Sequence, residues 1–427
     1  MMTPSPMFPQ ATSLLNPPLH PGPRPLPLHM ALQTLTWMSS LAALSGLKSG
    51  SLPWRPDLRK AAEALQKSLE NAEPAAFAAA VDAEARRRLM AFSKGVLRYG
   101  QLPRQARPAE PPVFWSEGTT RVLDYGAGAG KSENGDIPIL LVPSLINRGY
   151  ILDLTEKRSL TRYLAGEGFR PFLVDWGAPG EDEREFDLTD YICRRLEPAL
   201  DEICHVTGRP PVVVGYCMGG LLTLALAVRK PEQVAALVLL ATPWDFHAGP
   251  AGKIRMLKAT VPVLLTLIDQ LGELPVDVMQ AMFTSLDPYS TANKFRRFAE
   301  LDEKSAKTRH FVALEDWLND GVPLVGPVAR ECLMDWYVDN APAKGAWEIG
   351  GEPVLPRDVH APSLVVIPQK DHIVPPGSAI FLAEAIPGAT AKILAAGHIG
   401  MATGGKARTM LYQPLVNWLH QTLTKIN

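Results

Sequence analysis

A mostly parallel α/β fold is predicted by two features of this sequence. Apolar strand-like runs alternate with helix-like runs, and one glycine-flanked reactive residue lies between such a strand and the helix after it. The strand-like runs are Ile137–Val142, Phe172–Asp175, Pro211–Tyr216, Ala235–Leu240, Ser363–Ile367 and Ala391–Leu394. One of the helix-like runs is Glu156–Gly166, which precedes Phe172–Asp175. Alternation of this kind is typical of a sheet that is covered by helices on both faces.

The reactive residue is Cys217, in the sequence Gly215-Tyr216-Cys217-Met218-Gly219-Gly220. A valine run precedes it and a run rich in Leu and Ala follows, so the order is strand, sharp turn, helix. The apex of such a turn is strained, and glycines leave room for it. This is the layout of the α/β-hydrolase nucleophile elbow, G-x-S-x-G, with cysteine in the place of serine. A buried structural cysteine in a glycine-rich turn is the alternative that the motif alone leaves open.

Two ionisable residues follow later strands in the order that a catalytic triad requires. Asp371 lies in the loop after the strand Ser363–Ile367, and His398 lies in the loop after Ala391–Leu394. Nucleophile, acid, histidine is the order of the α/β-hydrolase triad. Ligands also bind at the strand ends of open α/β sheets. The sequence therefore predicts an α/β-hydrolase fold with Cys217, Asp371 and His398 as catalytic residues.

Two backbone amides are candidates for stabilising an oxyanion. Met218 follows the nucleophile at a helix N-terminus, where amides lack intrahelical acceptors and the dipole favours negative charge. The second donor is expected in the loop after Ile137–Val142, near Leu145 or Ile146, and Ile146 is taken as the candidate. Together such amides would hold the charge of a tetrahedral intermediate.

Composition is that of an ordinary globular protein. The 427 residues carry a net charge of −1, so no overall field recruits nucleic acid. None of the cysteines, which include Cys193, Cys204 and Cys332, is spaced as a zinc pair or a disulfide framework. No apolar run reaches the roughly 18 residues of a membrane span, and Ala31–Leu47 comes nearest. A cytoplasmic protein is expected.

A glycine-rich stretch, Gly126–Ser132, resembles a phosphate loop only superficially. Tyr125 stands where the first glycine of G-x-x-x-x-G-K-S is required, and Lys131 stands where G-x-G-x-x-G requires its third glycine. A turn between strands is the better interpretation. The sequence thus predicts no cofactor and no metal.

Three regions are predicted along the chain. Residues 1–28 are rich in proline and are expected to form a flexible tail, which makes the N-terminal segment partly disordered. Residues 29–104 show apolar positions at helical spacing and are expected to be helical. Residues 105–427 form the catalytic domain, with a helical cap insertion at about residues 243–358 above the active site.

These motifs together resemble those of the polyhydroxyalkanoate synthases. The nucleophile box of that family, G-x-C-x-G-G, is matched at residues 215–220. Further matching strings are Leu141-Val142-Pro143-Ser144-Leu145-Ile146-Asn147-Arg148-Gly149-Tyr150-Ile151-Leu152-Asp153-Leu154, Asp175-Trp176-Gly177, Asp371-His372-Ile373-Val374-Pro375 and Gly397-His398-Ile399. The strings at residues 282–288, 311–320 and 345–351 look most like the shorter, two-subunit synthases. The similarity extends from about residue 110 to residue 420, whereas residues 1–104 are longer than the start of those short enzymes.

The resemblance implies an acyltransferase that polymerises (R)-3-hydroxyacyl-CoA through a thioester on Cys217 and releases CoA. It implies that Asp371 or His398 activates the 3-hydroxyl, without deciding which. It also implies a growing polyester chain or granule as a partner, and a homodimer or a second synthase subunit. A thioesterase or polymer depolymerase of the same fold is the first alternative, and a non-catalytic granule-surface protein is the second.

Overall fold

The computed structural model describes residues 20–126 and 137–424, which fall into two compact units. The first unit joins the described residues up to Gln105 with Asp287–Asn319, and the second joins Ala106–Leu286 with the described residues from Asp320 onward. Most of the predicted proline-rich tail and of the Gly126–Ser132 turn lies outside the described residues. The three-part division predicted from the sequence stays a prediction. Within the described ranges, no helix is long and apolar enough to cross a membrane.

The described part of the chain contains α-helices of between four and 28 residues. In chain order they are α1 Leu26–Ser49, α2 Arg59–Leu69, α3 Pro74–Gln101, α4 Leu160–Gly166, α5 Leu188–Tyr191, α6 Glu197–Thr207, α7 Met218–Arg229, α8 Ala251–Leu271, α9 Val276–Leu286, α10 Ser290–Phe298, α11 Ala306–Asn319, α12 Gly326–Glu331, α13 Ala341–Lys344, α14 Pro376–Ala385, α15 Gly400–Thr403 and α16 Gln413–Leu423. Turns of π-helix extend three of these helices, at Ile192–Leu196, Cys332–Val338 and Arg408–Tyr412.

An eight-stranded sheet forms the centre of the second unit. Its strands are β1 Val113–Glu117, β2 Thr120–Asp124, β3 Ile137–Val142, β4 Phe169–Asp175, β5 Val212–Tyr216, β6 Ala236–Leu240, β7 Ser363–Pro368 and β8 Thr390–Leu394. In space they run β1-β2-β4-β3-β5-β6-β7-β8. The hairpin β1–β2 and its pairing with β4 are antiparallel, and the pairings from β4 to β8 are parallel. The predicted mostly parallel sheet is confirmed.

The central strands are buried along their whole length. Each residue of β3, β5, β6 and β7 is buried, as expected for strands covered by helices on both faces. Because these strands are parallel, their carboxyl ends lie at one edge of the sheet. The loops that leave this edge carry the predicted site residues. Side chains of α8 and α12 share the same apolar core as the sheet, so these helices of the insertion are anchored to the second unit.

The first unit packs around an aromatic core on α3, α10 and α11. Phe92 and Tyr99 contact Phe295 edge-on, with ring centroids 6.0 and 5.9 Å away. Gly95 permits the close approach of α3 and α10, because a Cβ there would overlap the carbonyl of Phe295. His20 is buried and stacks on Tyr99 at 4.5 Å, so the described chain is anchored to this unit from its first residue.

One helix starts later than the sequence predicts. A helix was expected from Glu156 to Gly166, but α4 begins at Leu160. Residues 153–155 and 158–159 form a short antiparallel hairpin instead. The side chain of Ser159 then accepts the Arg162 amide at 2.9 Å and caps the helix, which sets its start at the end of the hairpin.

Candidate active site

Cys217 lies at the turn between β5 and α7, where its backbone has φ 55° and ψ −125°. A positive φ costs a residue with a side chain about 1–3 kcal/mol, so the surroundings must hold it in place. The Cys217 amide donates to the Leu240 carbonyl of β6 at 2.9 Å, and the Cys217 carbonyl accepts from the Gly220 amide at 2.9 Å. These bonds fix the turn and present a half-buried thiol at the carboxyl edge of the sheet.

The glycines of the turn are required by close packing. A Cβ at Gly219 would overlap the Val142 carbonyl and lie 2.6 Å from the Pro143 carbonyl, both of which are backbone atoms. A Cβ at Gly220 would overlap the side chain of Thr242. Helix α7 can therefore lie directly against the ends of β3 and β6 only because these positions lack side chains.

Asp371 lies in the loop after β7 and is buried, with 6% of its surface exposed. One carboxylate oxygen, Oδ1, accepts the amides of Ile373 at 2.8 Å and Val374 at 2.9 Å. The other, Oδ2, lies 2.6 Å from Nδ1 of His398. Two backbone donors thus hold the carboxylate rigidly toward the imidazole, which favours the tautomer with a proton on Nδ1.

His398 lies in the loop after β8, where Nδ1 is hydrogen-bonded to Asp371 and the imidazole interacts with Cys217. Burial alone lowers the pKa of His398. The largest cause that raises it is the negative charge of Cys217, followed by the side-chain interactions with Asp371 and Cys217 and the charge of Asp371. Together these causes outweigh burial and raise that pKa to about 10. At neutral pH the imidazole is therefore protonated when it faces a thiolate. The structure thus brings together all three residues that the sequence predicts as a triad.

Tyr216 contacts His398, although no sequence motif identifies it as a site residue. Its hydroxyl donates to the His398 carbonyl at 3.4 Å, and the two rings lie 5.4 Å apart. Burial, with the charges of Cys217 and Asp371, raises the pKa of Tyr216, so the phenol stays neutral. The sequence offers one signal for Tyr216, which is its position between Gly215 and Cys217. Successive side chains of a strand point to opposite faces, so Tyr216 is expected to point away from the thiol.

The two candidate oxyanion amides differ in their surroundings. Met218 begins α7 directly after the nucleophile, as predicted. The Ile146 amide lies in the loop after β3, but it donates to the Ser144 hydroxyl at 3.2 Å. A substrate oxygen would have to replace that hydroxyl as the acceptor. The assignment of both amides stays a prediction.

Comparison with known proteins shows the family to which this chain belongs. A family model for the alpha/beta hydrolase fold matches residues 137–404. The poly(3-hydroxyalkanoate) polymerase subunit of Allochromatium vinosum is 29% identical over 326 residues, which are 75% of this chain and 89% of that protein. The corresponding subunit of Synechocystis sp. is 31% identical over 295 residues, which are 67% of this chain and 78% of that protein. This chain belongs to the poly(3-hydroxyalkanoate) polymerase family. The predicted fold class and family are confirmed.

In this member of the polymerase family, the other cysteines are less suited to nucleophilic attack. Burial and the nearby Asp201 raise the pKa of the Cys204 thiol to about 11. Burial also raises the pKa of Cys193, where Glu197 adds to the effect, and of Cys332. Each of these thiols is therefore protonated at neutral pH. Within residues 20–126 and 137–424, no group of His, Cys, Asp and Glu is arranged to hold a metal ion.

Proposed function

We propose that this chain is a polyhydroxyalkanoate synthase, an acyltransferase that joins (R)-3-hydroxyacyl groups from CoA thioesters into a polyester and releases CoA. The observation that supports it most directly is the series Cys217–His398–Asp371, in which His398 is hydrogen-bonded to Asp371 and interacts with Cys217, at the elbow of a chain in the polymerase family. A thiol nucleophile, a base and an orienting acid are the parts that acyl transfer through a covalent intermediate requires.

In the first step the Cys217 thiolate attacks the thioester carbonyl of the substrate. The carbonyl oxygen takes up the negative charge and is held by the amide of Met218 and an amide of the loop after β3. The C–S bond to CoA then breaks, and the CoA thiolate takes the proton carried by His398. The products are free CoA and an acyl thioester on Cys217.

In the second step the 3-hydroxyl of another acyl group attacks this thioester. We assign His398 as the base that takes the hydroxyl proton, because both oxygens of Asp371 already accept hydrogen bonds from His398, Ile373 and Val374. The Cys217 thiolate leaves as the new ester forms. Asp371 thereby orients the imidazole in both steps, and His398 ends protonated beside the thiolate, as it began.

A cysteine suits this sequence of steps better than a serine. Loading exchanges one thioester for another, so the acyl group on the enzyme keeps the activation that it had on CoA. The attack by a hydroxyl then converts a thioester to a more stable ester, which drives chain growth. A serine would form the ester first and lose this driving force before the chain is extended.

Incubation with (R)-3-hydroxybutyryl-CoA tests the proposal. A synthase releases CoA and forms insoluble polymer in proportion, whereas a thioesterase releases CoA with free 3-hydroxybutyrate and no polymer. A depolymerase releases soluble hydroxyacids from preformed polymer. Cys217→Ala should be inactive and Cys204→Ala active, since Cys204 lies on α6, away from the carboxyl edge. CoA release without polymer from the purified chain would favour the hydrolase alternative.

The chain is also proposed to work in an assembly at the surface of its product. The relatives from Allochromatium vinosum and Synechocystis sp. are named as polymerase subunits. By analogy, this chain would form a homodimer or bind a second synthase subunit, and would associate with polymer granules. Light scattering of the purified chain, with and without candidate subunits, would test the assembly. Sedimentation with polymer would test the location.

A further inference from the structure

The loop after β3 is bound by a segment of the insertion that is distant from it in the sequence. The Val322 amide donates to the Ile146 carbonyl at 3.2 Å. Beside this bond, Asn147 and Gly321 form an antiparallel β-bridge. Residues 320–322, which we call the clamp segment, therefore pair with the backbone of the loop that carries the candidate oxyanion amide. The loop and the clamp segment both belong to the second unit.

Asp320, the first residue of the clamp segment, binds two side chains of the same loop. Its Oδ2 accepts the Tyr150 hydroxyl at 3.0 Å, and its Oδ1 lies 3.8 Å from Nε of Arg148. Tyr150 lies in the 3₁₀ turn Gly149–Leu152, and Arg148 directly precedes that turn. One carboxylate thus joins two side chains of the loop to the clamp segment, next to the backbone pairing.

The other end of the clamp segment is anchored in the core. Val322 is buried. Leu324–Val325 then pairs antiparallel with Glu273–Leu274, which follows α8. These residues, apart from Glu273, belong to the same apolar core as the sheet. The packing of the insertion on the sheet therefore determines where the Val322 amide lies.

Close packing also leaves the clamp segment little room to move. A Cβ at Gly321 would lie 2.9 Å from a methyl carbon of Val276 on α9 and 3.4 Å from Oδ1 of Asn147. The first distance is shorter than such carbon atoms normally approach. The clamp segment is thus held between α9 and the loop after β3, and it holds the Ile146 carbonyl in turn.

The position of this loop matters because an oxyanion donor acts only when it points at the charged oxygen, at about 2.7–3.1 Å. Such groups must be held to within about 0.5 Å of the productive geometry, and loops are more mobile than the elements they connect. A bond to the Ile146 carbonyl limits rotation of that residue and hence the directions in which its amide can point. The Ser144 hydroxyl accepts this amide at 3.2 Å and must give way to the substrate oxygen. The clamp segment can keep the amide in place during that exchange.

We propose that Asp320 is a positioning residue for acyl transfer, which holds Tyr150 and Arg148 so that the loop after β3 stays paired with the clamp segment. The Ile146 amide is thereby kept aimed at the oxyanion. The inference rests on the proposed function. The side chain of Asp320 is 49% exposed, and ion pairs at the surface contribute little to stability. Loss of this carboxylate should therefore slow acyl transfer with little effect on the melting temperature.

The test compares two reactions of Cys217. Loading from (R)-3-hydroxybutyryl-CoA passes through a tetrahedral oxyanion, whereas alkylation by iodoacetamide displaces iodide at a saturated carbon and forms no oxyanion. At saturating thioester, Asp320→Ala should load about tenfold more slowly, the effect of one hydrogen bond to a charged group. The half-saturating thioester concentration should be unchanged, because the lost stabilisation belongs to the transition state. The alkylation rate should equal that of the wild type. Rapid-quench mass spectrometry measures both reactions.

Tyr150→Phe removes the other partner of the same hydrogen bond and should slow loading by a similar factor. The double variant should be no slower than Asp320→Ala alone, because the two changes remove one shared interaction. The matched controls are Glu303→Ala and Tyr289→Phe, which remove an exposed carboxylate and an exposed phenol of the first unit. Both controls should load and alkylate at the wild-type rates.

Three results would overturn the role of Asp320. These are wild-type loading in Asp320→Ala and Tyr150→Phe, equal slowing of loading and alkylation, and effects that multiply in the double variant. Equal slowing would mean that the thiolate or the whole fold is disturbed, which the melting temperature of each variant distinguishes. If iodoacetamide alkylates Cys217 of the wild-type chain but the thioester does not load, the proposed function itself is wrong, and the role of Asp320 is refuted with it.

Discussion

Nδ1 of His398 lies 2.6 Å from Oδ2 of Asp371, although 27 residues separate them along the chain. The contact forms because β7 and β8 are adjacent and parallel, so that the loops after them leave the same edge of the sheet. With the charge of Cys217 nearby, the pair holds the pKa of His398 at about 10. The chemistry of the site depends on this proton, since in the proposed steps His398 gives it to the departing CoA and regains one from the attacking hydroxyl.

We expect Cys217→Ala to abolish acyl-enzyme formation, because no other side chain at the elbow can attack a thioester. Cys217→Ser should load at a rate lower by several orders of magnitude, because an alcohol is far harder to deprotonate than a thiol. Mass spectrometry of the enzyme after incubation with 3-hydroxybutyryl-CoA measures both. Near-normal turnover by Cys217→Ala would refute the assignment of the nucleophile.

The protonation of His398 should depend on Cys217. The substitution Cys217→Ala removes the largest cause that raises the pKa of His398, so this pKa should fall substantially below about 10. Titration of the imidazole nitrogens by NMR, with ¹⁵N-labelled histidine, measures it in both proteins. Cys204→Ala is the control and should leave the His398 titration unchanged. An identical titration in Cys217→Ala would show that the Cys217 side chain does not influence His398.

A half-buried carboxyl on α12 predicts a pH dependence of stability that is separate from catalysis. Burial, with the nearby Asp187 and Asp335, raises the pKa of Glu331 from 4.5 to about 7, despite a hydrogen bond from the Leu188 amide at 2.7 Å. Because the folded pKa is higher than the unfolded one, the folded state holds the proton more tightly. The stability contributed by the protonated form is present below pH 4.5 and is lost as the pH rises through about 7.

Glu331→Gln should therefore be more stable than the wild type at pH 8, by ~2 kcal/mol, and should show little gain at pH 5. A glutamine oxygen can still accept the Leu188 amide, so the hydrogen bond is kept. Urea unfolding at several pH values measures the difference. Glu303→Gln, which changes an exposed carboxylate, should show no such trend. A gain of the same size at both pH values would mean that burial does not perturb Glu331.

Gly219→Ala should destabilise the protein by about 2–3 kcal/mol or prevent folding, because the new Cβ would overlap carbonyl groups of Val142 and Pro143 that cannot move aside. The control is Gly252→Ala in α8, where no atom lies within 4 Å of the added Cβ. That change should be neutral or slightly stabilising, since alanine favours a helix. Thermal unfolding compares the two, and equal effects would contradict the packing argument.

Much of the fold follows from local pattern. The runs of β-branched and other apolar residues in β3, β5, β6 and β7 predicted buried parallel strands, and the structure confirms them. Element starts were less certain, as α4 shows. There a cap at Ser159 and a short hairpin decide where the helix begins, and neither leaves a periodic signal in the sequence.

For the candidate site, the sequence alone determined which residues follow which strands, and therefore that Cys217, Asp371 and His398 leave one edge of a parallel sheet. Only the tertiary structure decided the distances on which proton transfer depends. It placed the amides of Ile373 and Val374 within hydrogen-bond distance of the Asp371 carboxylate, which holds this carboxylate in position. It also decided that the insertion contacts the loop after β6, where the rings of Phe246 and Tyr337 meet edge-on with centroids 4.9 Å apart. The reason is physical: the order of strands follows from local hydrophobic patterns, whereas the packing of an insertion on a loop depends on contacts between residues that are distant in sequence.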